Sequence, residues 1–153
     1  MYNKQKAACC KYQKNDLANL TPLQIIARLY QALEHDLNLA HDALAGKDRA
    51  VQGEKISHAL AIIGELQANL DLEKGGEIAA NLSDLYIYLV AEITMANVNN
   101  DPTGLEKALH TVTPLTEAWV ELVRQKNEPE HVQRVRGAGS REKLRAVAFQ
   151  ATF

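Results

Sequence analysis

The chain has 153 residues, 46% hydrophobic, 24% charged and 5% aromatic, with a net charge of −2. That length suits one domain, with burial of roughly 68–70% of the unfolded surface, and Ala- and Leu-rich, aromatic-poor composition favours helices over sheets. The charge is uneven: residues 21–123 carry 6 Lys/Arg against 15 Asp/Glu, residues 1–20 carry 4 against 1, and residues 124–153 carry 7 against 3. An acidic body excludes nucleic-acid binding by that body, since phosphate contacts need a basic face. The basic ends could touch an acidic partner or fold back on the body, and solvated tails are the expected reading.

Residues 1–20 form a polar N-terminal arm with no apolar segment of the kind a secretory signal requires. Its two cysteines, Cys9 and Cys10, are adjacent, which is neither a staple nor a Cys-x-x-Cys pair. No unbroken run approaches the ~18 apolar residues of a membrane span. The expected location is the cytoplasm, without membrane insertion.

The first helix starts at Thr21, where Thr21-Pro22-Leu23-Gln24 combines a capping box with proline at the first helical position. Its apolar stripe is Ile25, Ile26, Leu29, Tyr30, Leu33, Leu37, Ala40 and Leu44, ended by Gly46 as the left-handed residue. Asp48 caps a second helix with the stripe Ile56, Ala59, Leu60, Ile63, Leu66, Gln67 and Leu70, ending near Leu72. Gly75-Gly76 makes a sharp corner, and a third helix runs from about Glu77 to Val98 with Ile78, Leu82, Leu85, Tyr86, Leu89 and Ile93 inward. Asn99-Asn100-Asp101-Pro102 breaks the pattern. A fourth helix runs from about Thr103 to Gln125, with Leu105, Leu109, Val112, Leu115, Trp119 and Leu122 inward. Pro114 inside it implies a kink near His110 or a break at Thr113. Residues 127–153 read as a tail, with a short helix possible over 141–149. Gly137-Ala138-Gly139-Ser140 reads equally as an added linker, and no function is assigned to it.

Four helical patterns with short connections predict an all-α, antiparallel up-down four-helix bundle over residues 21–126. Helices of ~35 Å follow from a rise of about 1.5 Å per residue. Such bundles often hold metals through Glu-x-x-His pairs. Here Glu54–His58 and Glu106–His110 are four apart, the spacing of surface pairs. Glu128–His131 has the metal spacing but falls in the tail. No His-x-x-Lys-Gly phosphotransfer motif, phosphate loop or nucleophile signature is present. The expectation is no catalytic residue, no metal and no cofactor.

One feature points to binding. The third helix is apolar almost all round over Leu85-Tyr86-Ile87-Tyr88-Leu89-Val90-Ala91, and Ala80, Ser83, Ile87, Val90, Ala91, Thr94 and Val98 form a second stripe. A small and apolar outer face can seat a partner helix. The alternative is that a tail or neighbouring helix covers it. Candidate contact residues are Ile87, Val90 and Thr94, with Ile56, Leu60 and Tyr86 either bordering a groove or belonging to the core.

The residues around the glycine corner carry a likeness. Glu65-Leu66, Asp71-Leu72-Glu73-Lys74-Gly75-Gly76-Glu77-Ile78-Ala79, Asn81-Leu82, Leu85-Tyr86, Tyr88-Leu89 and Ala96-Asn97, with Tyr12-Gln13, Leu20-Thr21-Pro22 and Leu29-Tyr30 upstream, resemble the flagellin-specific export chaperones, the FliS family, over about residues 11–122. The resemblance implies a cytoplasmic helical bundle without enzymatic activity. It implies binding of the disordered C-terminal region of flagellin, prevention of early polymerisation and presentation to the export gate. It also implies an N-terminal arm able to cover part of the groove, for which Tyr12, Leu17 and Leu20 are the matching residues. The sequence departs from the family pattern at Gln31, Ile87, Val90, Ala91 and Pro114, and in its basic C-terminal extension.

Overall fold

The computed structural model describes residues 19–127, which form four helices: α1 (Pro22–Ala45), α2 (Arg49–Ala68), α3 (Leu72–Asn99) and α4 (Pro102–Asn127). No strand occurs among the described residues. Sequential helices pack in a closed ring, with α1 most extensively against α2 and α4, and α3 against α2 and α4. Pairing numbers rise on one helix as they fall on its neighbour. His41 meets Glu106, Glu34 meets Thr113 and Tyr30 meets Thr116; Gln52 meets Asn97 and Gln67 meets Ser83. This register is that of the expected antiparallel up-down bundle.

The start of α1 follows the sequence closely. The Thr21 side chain accepts from the Gln24 N–H at 3.2 Å, and the Gln24 side chain accepts from the Thr21 N–H at 2.9 Å. Its end does not. Gly46 is right-handed (φ −76°), and the left-handed residue is Lys47 (φ 58°). The Asp48 N–H donates to Ala43 O at 2.8 Å and the Lys47 N–H to Leu44 O at 3.1 Å. These bonds fix Lys47 as the left-handed position of a Schellman turn. Asp48 then caps α2, its side chain accepting from the Val51 N–H at 3.2 Å. One short connection therefore closes one helix and opens the next.

At the glycine corner the break falls at Gly76 as expected, but the helix ends before it differ from expectation. Helix α2 ends at Ala68 rather than Leu72, and Asp71 caps a new turn by accepting from the N–H groups of Glu73 (3.1 Å) and Lys74 (2.9 Å). Gly76, at φ 53° and ψ −128°, is a break inside α3 after that first turn. Only glycine takes such a conformation without strain. Pro114 does not split α4 at Thr113, because the helix is continuous from Pro102 to Asn127. Its ring lies on the exposed side, where water can satisfy the carbonyl that loses its donor.

The core joins Leu33, Leu37, Ile56, Ile63, Leu66, Leu82, Leu89, Ile93, Leu105 and Val112 around a central aromatic group. The Tyr30 and Tyr86 hydroxyls are hydrogen-bonded at 2.6 Å, and Trp119 stacks on Tyr30 with ring centres 6.0 Å apart. Trp119 is thus a core residue, as its position in the apolar stripe implies. Ile25 is not, being on the exposed side of α1. Three buried polar residues lie outside the apolar stripes. Asp36 pairs with His58 across α1 and α2. The buried Gln52 amide donates to Asn97 at 3.0 Å and Asn100 at 3.2 Å. The Thr116 hydroxyl turns back onto Val112 O at 3.1 Å. At one end of the bundle α3 and α4 approach so closely that a Cβ on Gly104 would sit 2.7 Å from the Ala96 Cβ.

By length and composition alone, α3 is apolar enough to cross a membrane, its most apolar window having a mean hydropathy of 1.2. Counting unbroken apolar runs does not register this, because Asp84 and Glu92 interrupt the segment. The cause is that α3 carries apolar residues on both its core face and its outer face.

Two substitutions test the backbone reading. Lys47→Gly removes a left-handed L-residue and is expected to raise stability by about 1 kcal/mol. Gly104→Ala forces the Ala96 contact apart and is expected to lower it by about 1–3 kcal/mol. Thermal melts of both variants measure the signs. Burial also pushes the Tyr30 hydroxyl up to about 12 and raises Tyr86 as well, by burial first and then by the nearby Tyr30. Both keep their protons longer folded than unfolded, where tyrosine titrates near ~10. Their stabilisation is therefore full below pH ~10 and declines as pH rises, by up to about 1.4 kcal/mol per pH unit for each tyrosine. Urea melts between pH 9 and 12 should show this slope, and Tyr30→Phe should reduce it.

Candidate functional site

At about 100° per residue, Leu82, Tyr86, Leu89, Ile93 and Ala96 turn one side of α3 into the core, and all five are buried. Directly opposite run Ala80, Asp84, Ile87, Ala91, Thr94 and Val98, all exposed. Their spacing alternates four and three residues, the spacing of a seam that accepts another helix. Ile87 is 63% exposed and Val98 69%. Val90 widens the strip on one flank; Tyr88 and Met95 widen it on the other, with Met95 57% exposed. Exposed large apolar side chains concentrated on one helix face are the kind of surface that marks an interaction site.

The flanks of this face are tied down by polar contacts. On the α2 side, the Gln67 amide donates to Ser83 Oγ at 2.8 Å, and Gln52 holds Asn97. On the α4 side, Lys107 and Glu92 form an ion pair at 3.4 Å. These bonds fix which strip of α3 faces outward. Asn97, one of the residues carrying the family likeness, acts here as a tie between α2 and α3.

The structure separates the sequence-derived candidates. Ile87, Val90 and Thr94 lie on the outer face. Ile56 and Tyr86 are core residues, 2% and 1% exposed, so of the two readings left open for them the core placement is the observed one. Leu60 is half-buried on α2. Tyr12 and Leu17 lie outside the described residues, as do the tail and its candidate helix. Leu20 is on another side of the bundle, where it lines a cleft of about 170 Å³ between α1 and α4 with Ala27, Arg28, Val120 and Val123. Tyr88 and Met95 were outside the second stripe drawn from the sequence. Their seven-residue separation is the signal that places them side by side on the surface.

The carboxylates and histidines form structural pairs. His58 meets Asp36 instead of Glu54, and Glu106 meets His41 at 3.2 Å instead of His110. The expected i, i+4 pairs are replaced by links between helices, because Asp36 and His41 on α1 lie closer to these partners. Among the described residues, no group of three or more His, Cys, Asp or Glu is placed to hold a metal.

The model of the family described as "Flagellar protein FliS" matches residues 4–126. The flagellar secretion chaperone FliS of Salmonella typhimurium is 38% identical over 103 residues, covering 67% of this chain and 76% of that protein. The Vibrio cholerae FliS is 33% identical over 105 residues, covering 69% and 77%. The Bacillus subtilis FliS is 28% identical over 120 residues, covering 78% and 89%. The match spans the whole bundle, its glycine corner and the helix that bears the exposed strip, and the chain belongs to the FliS family of flagellar secretion chaperones.

Proposed function

We propose that this chain binds the C-terminal region of flagellin in the cytoplasm, keeps it from polymerising before export, and presents it to the flagellar export gate, with no catalytic step. The observation that supports this most is the apolar outer face of α3, with Ile87 63% and Val98 69% exposed, on a member of a secretion-chaperone family. A segment that is disordered when free and packs through amphipathic helices when assembled needs its apolar face occupied in between. The seam along α3 offers apolar residues at the spacing such a helix presents. Ordering the client costs about 2–5 kcal/mol or more of the gross interaction, which lowers the net affinity and favours release.

A second reading, self-association of the bundle through the same face, is favoured by the seam spacing alone. Light scattering across a concentration series separates the two, since self-association makes the apparent mass rise with concentration in the absence of client.

The decisive mixture contains the protein with flagellin, intact or lacking its last ~40 residues, a length suited to a segment wrapping several helices. Binding of the intact protein alone is expected; equal binding to both, or to neither, overturns the proposal. Ile87→Asp and Val90→Asp should each weaken capture at least tenfold while shifting stability by no more than about 0.5 kcal/mol, as surface substitutions do. Loss of folding would assign these side chains to the core.

A further inference from the structure

We propose that Met95 is a reversible oxidation site on the outer face of α3: a peroxide converts its thioether to the sulfoxide and weakens client capture, and a thiol-dependent sulfoxide reductase restores it. The proposal rests on the reading of that face as the client surface and adds its regulation.

Placement is the first argument. Met95 carries the single sulfur among the described residues; the others in the chain are Met1, Cys9 and Cys10. Met95 follows Tyr86 by nine residues, which at about 100° per residue leaves it about 180° away round the helix. Tyr86 accordingly lies 1% exposed in the core, and Met95 57% exposed on the opposite side. Tyr88, Ala91 and Val98 are exposed beside it, at helical spacings of seven, four and three residues. An unbranched, polarisable thioether in this place offers a partner helix an adaptable apolar contact. The same exposure opens the sulfur to a small oxidant, for which methionine is a common target.

The chemistry gives the direction of the effect. A lone pair on the sulfur attacks one oxygen of hydrogen peroxide, and the O–O bond breaks as the S–O bond forms. The departing hydroxide takes the proton left on the transferred oxygen and becomes water. Sulfur is oxidised by two electrons and the peroxide reduced by two. In the reverse step two thiols supply two electrons and two protons, the sulfoxide oxygen leaves as water, and the thiols become a disulfide. The sulfoxide replaces an apolar group by a polar acceptor. Ala91 and Val98 bring no side-chain donor to it, so an apolar helix that docks there strips water from an acceptor that gains no partner, an unfavourable exchange. The core positions Leu89, Ile93 and Ala96 are buried on the other side of the helix, so oxidation alters the face and leaves the fold.

Peroxide treatment of the full chain tests this, with Cys9→Ser and Cys10→Ser removing the thiols. Peptide mass spectrometry times the gain of one oxygen at Met95 against free methionine, and comparable rates are expected. A rate far below that of free methionine overturns the site. The fully oxidised protein should bind flagellin's C-terminal segment about tenfold more weakly than before treatment, the order of effect of desolvating an unpartnered polar group. Its melting temperature should move by no more than about 3 °C, as for a surface change. Methionine sulfoxide reductases for both epimers, with a dithiol, should restore the affinity, and the Met95→Leu protein should show the same affinity before and after peroxide. Unchanged affinity at full oxidation overturns the proposal, as does an equal loss in Met95→Leu, which places the effect at another residue, or a collapse of the melting temperature, which places it in the fold. Should the untreated protein fail to bind flagellin, the client assignment falls and the regulation with it, while the oxidation rate still decides whether the sulfur is open.

Discussion

The hydroxyls of Tyr30 and Tyr86, paired at 2.6 Å in the centre of the bundle, set the rotation of α3, and the exposure of its outer face follows from that rotation. Tyr30 has no solvent exposure and Tyr86 almost none. Turning α3 by one residue would swing Tyr86 about 100° away and leave a buried hydroxyl on α1 without this partner, at a cost of about 1–3 kcal/mol. Trp119 stacks on the same ring from α4, so three of the four helices are keyed to one aromatic group. Apolar burial alone would not choose the orientation of α3, because that helix offers apolar residues on nearly every side. The polar pair makes the choice.

With the rotation fixed, the rest of the site follows. Gln67–Ser83 and Gln52–Asn97 lock the α2 flank, Glu92–Lys107 the α4 flank, and the Gly104–Ala96 approach holds the far end. What remains outward is a strip containing Ile87, Thr94 and Val98. Substitutions there leave the core contacts in place, whereas Tyr86 and Ile93, a few residues away on the same helix, are core positions. The short connections have defined backbone conformations: Lys47 and Asn100 are left-handed, and Gly76 has a positive φ of its own.

Much of this was legible in the sequence. Helix periodicity predicted four helices in the right order, the Thr21–Gln24 box placed the first start, and the second stripe on α3 named Ile87, Val90 and Thr94. The errors have local causes. A glycine after a helix predicts the left-handed residue at Gly46, but the bonds from Asp48 and Lys47 put that conformation on Lys47. The glycine pair does break the helix, at Gly76, but α2 stops at Ala68 and Asp71 caps a single turn before the pair, a cap whose presence an apolar stripe does not reveal. Buried Asp36 and Gln52 were invisible because a stripe of apolar residues says nothing about polar side chains whose partners come from another helix. Ile56 and Tyr86 fit both a groove and a core by spacing, and only the packing of neighbouring helices distinguishes the two.

In the proposed function the outer face of α3, and not a cleft elsewhere on the bundle, receives the client. Methyl resonances report it most directly. Titrating flagellin's C-terminal segment into protein labelled at Ile and Val methyls should shift Ile87, Val90 and Val98 saturably, while the buried Ile56 and Ile63 and the α1–α4 cleft residues Val120 and Val123 stay in place. Saturable shifts at Val120 and Val123, with Ile87 and Val98 unmoved, would contradict the account.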